Sequence, residues 1–548
     1  MKNGILIFIQ MLLCSVLWAQ GSSEYAEYTG EWYHITDDEA AIEVNMLHTP
    51  EYEALLARNP ANPNAKPYPI HIFTSYCPKP EIKYTFRYND FPPGYIPLSD
   101  DEYFYSVVDF YSESLGVSAD TVISTQKDEY PGIYTEFNTA KYSTKISVFL
   151  RGTRSYIFMA EMPSQYADSS KYYEPFVKKF KFIPYTQARL IEFVDSTQNF
   201  RAYLPEKPDI EVDTMNNLLY SDLDFSYSYT AHDEYTGTSY YIITDVYPEY
   251  YYINNIEEFY ESVIGTYFEL ADSVISVNNV QFGGETAYEV LMSSNDLSVL
   301  LKLRFVLIDN ILYQFYAYIP PQELVSRVNK DSFDYFEIIH QREINLLQPH
   351  GESILKNLYS DNFDDVLKSI RALGYYSFNP DDLDLIYKAL LEGVPADTVE
   401  GVEISQLLSE LLIYVQNSET LDVISKAYEK YENRPSTRLS LIGALLSMRT
   451  SDSEALYFYL MKNPPVLNSY EEGFVLFDIY NEDLDNFKSH YPKLLPLLKM
   501  SYYDSHFADL SLSLVDSNIV QKDFFQSYYT NYFEAFVQLK KSVGEIKE

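Results

Sequence analysis

The stretch YTFRYNDFPPGYIP (residues 84–97) returns in diverged form as YYIITDVYPEYYYI (240–253), with Pro92 over Pro248. Its neighbours return in the same order. SDDEYFYSVVDFY (99–111) lies over NNIEEFYESVIGTY (254–267), DTVISTQKDEYPG (120–132) over DSVISVNNVQFGG (272–284), and RSYIFMAEMP (154–163) over ILYQFYAYIP (311–320). Each copy closes on an aromatic run, EPFVKKFKFI (174–183) and DSFDYFEIIH (331–340). The offset moves from 156 to 152 to 157 residues, so the length changes fall between elements, where loops absorb them. One domain type is therefore present twice.

Within each copy the hydrophobic period changes. IHIFTSY (70–76) and IKYTFRYNDF (82–91) alternate as strands do and are joined by a turn at CPKPE. EWYHITDDEAAIEV (31–44) is read as the first strand of this unit and equated with NFRAYLPEKPDIEV (199–212), and IHIFTSY is equated with LDFSYSYTA (223–231). HTPEYEALLARNP (48–60) is read as a short helix ahead of a Pro- and Asn-rich turn. From Asp100 the spacing of Tyr103, Val107, Phe110 and Tyr111 becomes helical, with Ser99 as the cap and Asp100, Asp101 and Glu102 in the first turn. The counterpart uses Phe259, Val263 and Tyr267 behind Glu257 and Glu258. Such an aromatic stripe is read as a core face in preference to a ligand-binding box. Extended runs follow, with turns at Ile308–Asn310 and Gly283-Gly284; Pro131-Gly132 stands for the double glycine in the first copy. Strands, helix, strands and a closing helix predict an α+β domain, an antiparallel sheet with packed helices.

The second copy, with FRAYLP, the acidic helix after YIITDVYP, the GG before a strand, and NILYQFYAYIP followed by DSFDYFEII, resembles the PsbP-like fold. The resemblance covers 199–341 and, through the repeat, 31–185; the first copy departs most, at the missing double glycine. That family includes a photosystem subunit, a nuclear-import cofactor that binds a small GTPase, and exported bacterial proteins, so the resemblance implies binding and assembly in preference to catalysis.

After Gln341 the character changes again. NLLQPHGES (345–353) reads as a linker, and from Ile354 helical segments succeed one another, among them NFDDVLKSIRALG, EISQLLSELLIYVQN and TRLSLIGALLSMRT. Short connections make sequential helices antiparallel neighbours. The array resembles HEAT-type repeats, with no fixed period. The expected organisation is 1–19 signal peptide, 20–69 lead contributing the first strand, 70–185 and 199–341 PsbP-like domains, and 352–548 an all-α helical-repeat domain.

Residues 1–19 carry Lys2, an apolar run of about 15 residues and Ala19 at the cleavage point, which predicts export to the periplasm or beyond and a mature chain starting at Gln20. The run is shorter than the roughly 20 residues a spanning helix needs, so no transmembrane segment is expected in the mature chain. Cys14 leaves with the signal, and Cys77, without basic neighbours, is read as an inert thiol. The net charge of −40 argues against nucleic acid and anionic membranes and is compatible with a protein partner bearing a basic patch.

The chain carries no GxSxG, HExxH, P-loop, GxGxxG or paired CxxC. Its histidines, at 34, 48, 71, 232, 340, 350, 490 and 506, are scattered; His232, beside Asp233 and Glu234 in a predicted hairpin turn, is the most suggestive. The acidic clusters Asp37-Asp38-Glu39, Asp100-Asp101-Glu102, Asp361 to Asp365, and Asp381-Asp382 with Asp384 do not supply a calcium loop and are read as helix starts and solvated faces. No catalytic, cofactor or metal residue is assigned, and no cofactor is expected. The expectation is an exported, non-enzymatic binding or scaffold protein that engages a protein partner through its helical array and sheet domains. A protein that holds a small molecule, lipid or glycan in an aromatic pocket stays open, as does a hydrolase built from dispersed carboxylates.

Overall fold

The computed structural model describes residues 32–58, 67–93, 95–214, 223–294, 296–324, 332–339, 344–399 and 401–534. The segment read as a signal peptide and His340 lie outside them. The described residues form two compact units, one holding the two sheet-bearing copies and the other Leu346 onward together with Pro248–Asn254.

In the first copy β1 (Tyr33–Asp37) and β2 (Ile42–Met46) form a hairpin that β10 (Lys181–Phe182) widens to three strands. β3 (Glu51–Ala57), β4 (Tyr68–Cys77), β5 (Ile82–Asp90), β6 (Thr121–Lys127), β7 (Tyr130–Asn138), β8 (Tyr142–Arg151) and β9 (Arg154–Pro163) make a seven-stranded antiparallel sheet in the order β3-β4-β5-β9-β8-β7-β6. Helix α1 (Asp100–Leu115) connects β5 to β6, and α2 (Glu174–Val177) follows β9. The second copy repeats this topology. β11 (Ile191–Asp195), β12 (Phe200–Leu204) and β20 (Phe336–Ile338) form its small sheet. β13 (Asp209–Thr214), β14 (Phe225–His232), β15 (Ser239–Val246), β16 (Ser273–Phe282), β17 (Glu285–Ser293), β18 (Leu300–Ile308) and β19 (Ile311–Ile319) run in the order β13-β14-β15-β19-β18-β17-β16, with helix α3 (Ile256–Thr266) between β15 and β16.

Alternation along the strands gives each large sheet two working faces. In the first copy Tyr84, Phe86, Tyr156 and Phe158 bury one face with Ile42, Phe176 and Phe180, while Ile133, Ile146, Val148 and Ile157 bury the other with Tyr103, Phe104 and Val108 of α1. Each fully buried aromatic contributes roughly 1.5–3 kcal/mol. The helices start where expected. Ser99 accepts the Glu102 amide at 2.9 Å, and Asn255 accepts those of Glu257 and Glu258. Tyr103 is buried; its counterpart Phe259 is half-buried.

Four local readings are corrected. Within HTPEYEALLARNP the described residues Glu51–Ala57 form strand β3, paired with β4 from Glu51–Thr74 to Ala57–Tyr68, because an available sheet edge outweighs the helix propensity of Glu, Ala and Leu. EWYHITDDEAAIEV is a hairpin, and its counterpart is the β11–β12 hairpin before Asp209, so residues 32–58 supply three strands and not one. The closing aromatic runs end in short strands, β10 and β20, that pair with β2 and β12. The turn matching Gly283-Gly284 is Asp128-Glu129, both at positive φ, as a two-residue hairpin requires. Pro131 and Gly132 lie within β7, where a Cβ on Gly132 would sit 2.4 Å from the Phe149 ring.

The helical unit contains α4 (Gly351–Asn357), α5 (Phe363–Tyr375), α6 (Leu383–Glu392), α7 (Ile404–Tyr414), α8 (Thr420–Lys430), α9 (Pro435–Met448), α10 (Ser451–Leu460), α11 (Phe474–Glu482), α12 (Leu484–Leu494) and α13 (Tyr503–Asp516). They share one apolar core. Between α6 and α7 a small hairpin, Thr398–Val399 with Val402–Glu403, was not read from the sequence. The protein is thus α+β, two seven-stranded antiparallel sheets with packed helices followed by a helical domain.

Candidate functional site

The densest polar cluster in the sheet unit forms where β5, β9 and the β14–β15 turn meet. Asp90 ends β5 and Arg154 begins β9, and they are register partners. Arg154 is 1% exposed, and all five of its N–H groups donate. Nε and Nη2 reach the Asp90 carboxylate at 2.5 and 3.0 Å. Nη2 also donates to the Glu234 carbonyl at 2.5 Å, and Nη1 to the carbonyls of Glu39 and Tyr235 at 2.6 and 3.1 Å. His232 is therefore not isolated: Nε2 lies 3.0 Å from Asp90 Oδ2 and Nδ1 lies 3.1 Å from Ser239 Oγ. Burial pushes the Asp90 carboxyl up, but the Arg154 guanidinium and the His232 hydrogen bond outweigh it and hold Asp90 below the usual carboxylate range.

The turn is shaped for this seat. Asp233 is buried, which raises its carboxyl, and it accepts the Tyr235 amide at 2.9 Å while its carbonyl accepts that of Gly237 at 2.8 Å. Gly237 has φ +73°, and a Cβ there would come within 2.6 Å of Asp90 Oδ1. The Thr153 hydroxyl donates to the Gly237 carbonyl at 2.5 Å. A second tie lies beside it: Arg151 Nη2 reaches Glu323 at 2.8 Å, and the Tyr130 hydroxyl donates to the same carboxylate at 2.7 Å. These residues fasten the two copies together.

Ser239, His232 and Asp90 stand in the order of nucleophile, base and orienting acid. Their surroundings work against that use. Ser239 is buried, and the crevice it shares with Phe91, Pro92, Tyr95, Ile96, Thr153, Tyr241 and Tyr318 has a volume of about 10 Å³, room for one water and no substrate. Asp90 is also already committed to Arg154.

In the helical unit a cleft of about 270 Å³ is lined by Leu446, Arg449, Glu454, Asp483, Asn486 and His490. His490 Nδ1 lies 3.0 Å from the Tyr480 hydroxyl, Nε2 lies 3.5 Å from Glu454, and burial pushes its pKa down. The Thr450 and Ser453 hydroxyls in this cleft close the capping box of α10.

Five other histidines lie among the described residues. His71 stacks on Tyr88 at 4.3 Å, His506 stacks between Tyr470 and Phe477, and His34 meets Asn45. His48 is at positive φ, and the His350 amide donates to the Tyr376 hydroxyl. Cys77 is buried, its thiol pushed up by burial and donating to the Lys79 carbonyl. Of the acidic clusters, Asp37 accepts the Ala40 amide, Glu102 the Leu98 amide, and Asp382 completes a capping box with Asn379. Among the described residues no group of three His, Cys, Asp or Glu is placed to hold a metal, and no helix is long and apolar enough to cross a membrane.

Sequence reasoning passed over Asp90, Arg151, Arg154 and Glu323. A signal existed, since two arginines flank the turn RGTR (151–154) where the second copy has Asp309-Asn310 between Ile308 and Ile311.

No family model matches the chain, and neither does any curated protein. Among solved structures, cyanobacterial PsbP from Synechocystis sp. is similar over 28% of this chain and 94% of its own, at 10% identity and a TM-score of 0.21. A Bacteroides thetaiotaomicron protein is similar over 48% and 80% at 10% identity and TM-score 0.18, and the immunity protein TplEi of Pseudomonas aeruginosa over 57% and 99% at 9% and 0.16. The likeness to PsbP is one of fold only.

Proposed function

We propose that the protein is an exported, non-enzymatic binding or scaffold protein that engages a protein partner through its helical array, a HEAT-like surface, and its tandem PsbP-like sheet domains. The observation that carries this reading is how the charged groups of the sheet unit are spent. Every donor of Arg154 and both oxygens of Asp90 are spent within the protein, on each other, on the Glu39 carbonyl and, across to the second copy, on the Glu234 and Tyr235 carbonyls and His232, which leaves little chemistry to direct at a substrate. What the helical unit turns to solvent includes large apolar side chains, Tyr414 at 83%, Val466 at 72%, Tyr459 at 68% and Leu512 at 63%. Aromatic residues of this kind anchor protein interfaces. With a net charge of −40, a partner with a basic patch is steered in, and association slows as salt rises.

The test is crosslinking in the native cell followed by affinity capture with the full chain. One specific partner, bound more slowly in higher salt, is expected; capture that returns only background sinks the reading. Intact mass of the exported fraction tests cleavage before Gln20. A hydrolase is the second reading, favoured by the Ser239–His232–Asp90 alignment alone. Labelling of Ser239 by a fluorophosphonate probe, lost in His232→Ala, would establish it.

A further inference from the structure

One of the two edge strands of each large sheet carries the same apolar pair near its start. Val122-Ile123-Ser124 in β6 and Val274-Ile275-Ser276 in β16 follow Asp120 and Asp272. The aspartates have local work: Asp120 accepts the Asn138 amide, and Asp272 accepts the Ser294 hydroxyl. The apolar pair has no comparable local reason, since Val122, Ile123, Val274 and Ile275 are all exposed.

The two edges differ in how they are finished. β16 carries a bulge at Ile275, between the Val274–Met292 and Ser276–Leu291 pairs, and its far end at Gly283 is bridged to Glu337 of the neighbouring small sheet. Bulges and covering segments are the usual means of blunting a sheet edge. β6 has neither. It pairs with β7 without a break from Thr121–Glu136 to Lys127–Tyr130, contains no proline, and places Val122 to Gln126 in solvent with no charge before Lys127. Among the described residues no strand lies on its outer side.

We propose that the outer edge of β6, Thr121–Gln126, receives an extended segment of a partner protein as an eighth strand, a segment with a β-branched centre and basic residues at its ends. The backbone row specifies a strand as the occupant, because its outward N–H and C=O groups are satisfied by another extended chain. Charge specifies whose strand. A second copy of this protein, paired antiparallel about Ser124, would set Asp120 of each molecule against Asp128 of the other, and like charges opposite one another are destabilising. A segment with Lys or Arg at its ends meets Asp120, Asp128 and Glu129 favourably instead. The inference rests on the partner-binding reading and names the surface and the chemistry.

The test uses the full chain and a fluorescently labelled peptide, Lys-Lys-Val-Thr-Ile-Thr-Val-Lys-Lys, followed by anisotropy. Adjacent amides of a strand point to opposite sides, so of Ser124→Pro and Thr125→Pro one removes an outward N–H and leaves the β7 ladder whole. That variant keeps its circular dichroism spectrum and loses binding by at least about tenfold, as do peptides N-methylated at alternate amides. Binding that is equal in both proline variants, or a peptide that does not bind at millimolar concentration, overturns the inference. So does a dimer, seen by sedimentation, that the outward proline variant dissolves, because the occupant is then a second copy. If the outward proline variant still captures the native partner as wild type does, the edge assignment fails while the partner-binding reading stands.

Discussion

Asp90 and Arg154 face each other across β5 and β9 at the position where the second copy pairs Val246 with Ile311 across β15 and β19. The two copies thus differ at this position, with an apolar pair in one and an ion pair in the other, and the charged version is where the turn of the other copy docks. Removing one member of a buried pair leaves the other uncompensated and costs about 3–5 kcal/mol, whereas replacing both with apolar residues costs far less. Arg154→Ile and Asp90→Val are each expected to lower the urea midpoint of the sheet unit more than the double substitution does. A double variant at or below the weaker single would show the pair acting through something other than charge compensation.

Gly237 extends the same relationship. Its φ of +73° and the 2.6 Å approach of a Cβ to Asp90 predict that Gly237→Ala destabilises the junction by about 1–3 kcal/mol. In an Asp90→Ala background the steric part of that cost disappears. Equal costs in both backgrounds, measured by denaturation, would assign the effect to backbone strain alone.

Why some of this was legible and some was not follows from range. Ser99 with Asp100–Glu102, and Asn255 with Glu257-Glu258, are local signals, and both helices begin there. The helices after Gln341 follow from local periodicity in the same way. Strand β3 was misread because Glu51–Ala57 is locally a helix sequence, and its identity comes from Tyr68–Thr74, separated from it in the chain. The His232 cluster needed contacts across 142 residues to Asp90, which no spacing rule reaches. The comparison of Arg151 and Arg154 with Ile308 and Ile311 was available in the repeat itself, and a charged pair at a turn that isoleucines flank in the other copy is the trace such a site leaves.

Acid should weaken the fold in two stages. Burial lowers the pKa of His71, His490 and His506, so the unfolded chain takes up protons first; their contribution is complete above about pH 6.5 and is lost as pH falls through the folded values. Asp90, held low, contributes above about pH 4 and is lost below it. The histidine contribution is expected to be level from about pH 8 to 7 and to decline toward pH 5, opposed by the buried carboxyls of Asp100, Asp233, Asp245 and Glu410, whose raised pKa values make them take up protons before the unfolded chain does, and the loss of Asp90 adds to the fall below about pH 4. His71→Phe, which keeps the stack on Tyr88, should flatten the first decline for the sheet unit. A profile unchanged by that substitution would remove His71 from the account.

Tyr250 lies in the strap Pro248–Asn254, which belongs to the helical unit although it falls between β15 and α3 in the chain. Its ring is buried in the core with Ile354 and Leu355, its hydroxyl accepts the Asn357 side-chain amide at 2.7 Å, and the Ile253 amide donates to the Leu346 carbonyl at 2.8 Å. Deleting a buried aromatic side chain typically costs about 3–5 kcal/mol, and deleting one hydrogen bond about 1 kcal/mol. Tyr250→Ala should therefore speed amide exchange at Leu355 and Ile370 far more than Tyr250→Phe does, while amides at Tyr84 and Phe158 in the first sheet stay protected. Uniform acceleration in both units would mean that the strap stabilises the whole chain, and no acceleration would mean that the helices complete their core without it.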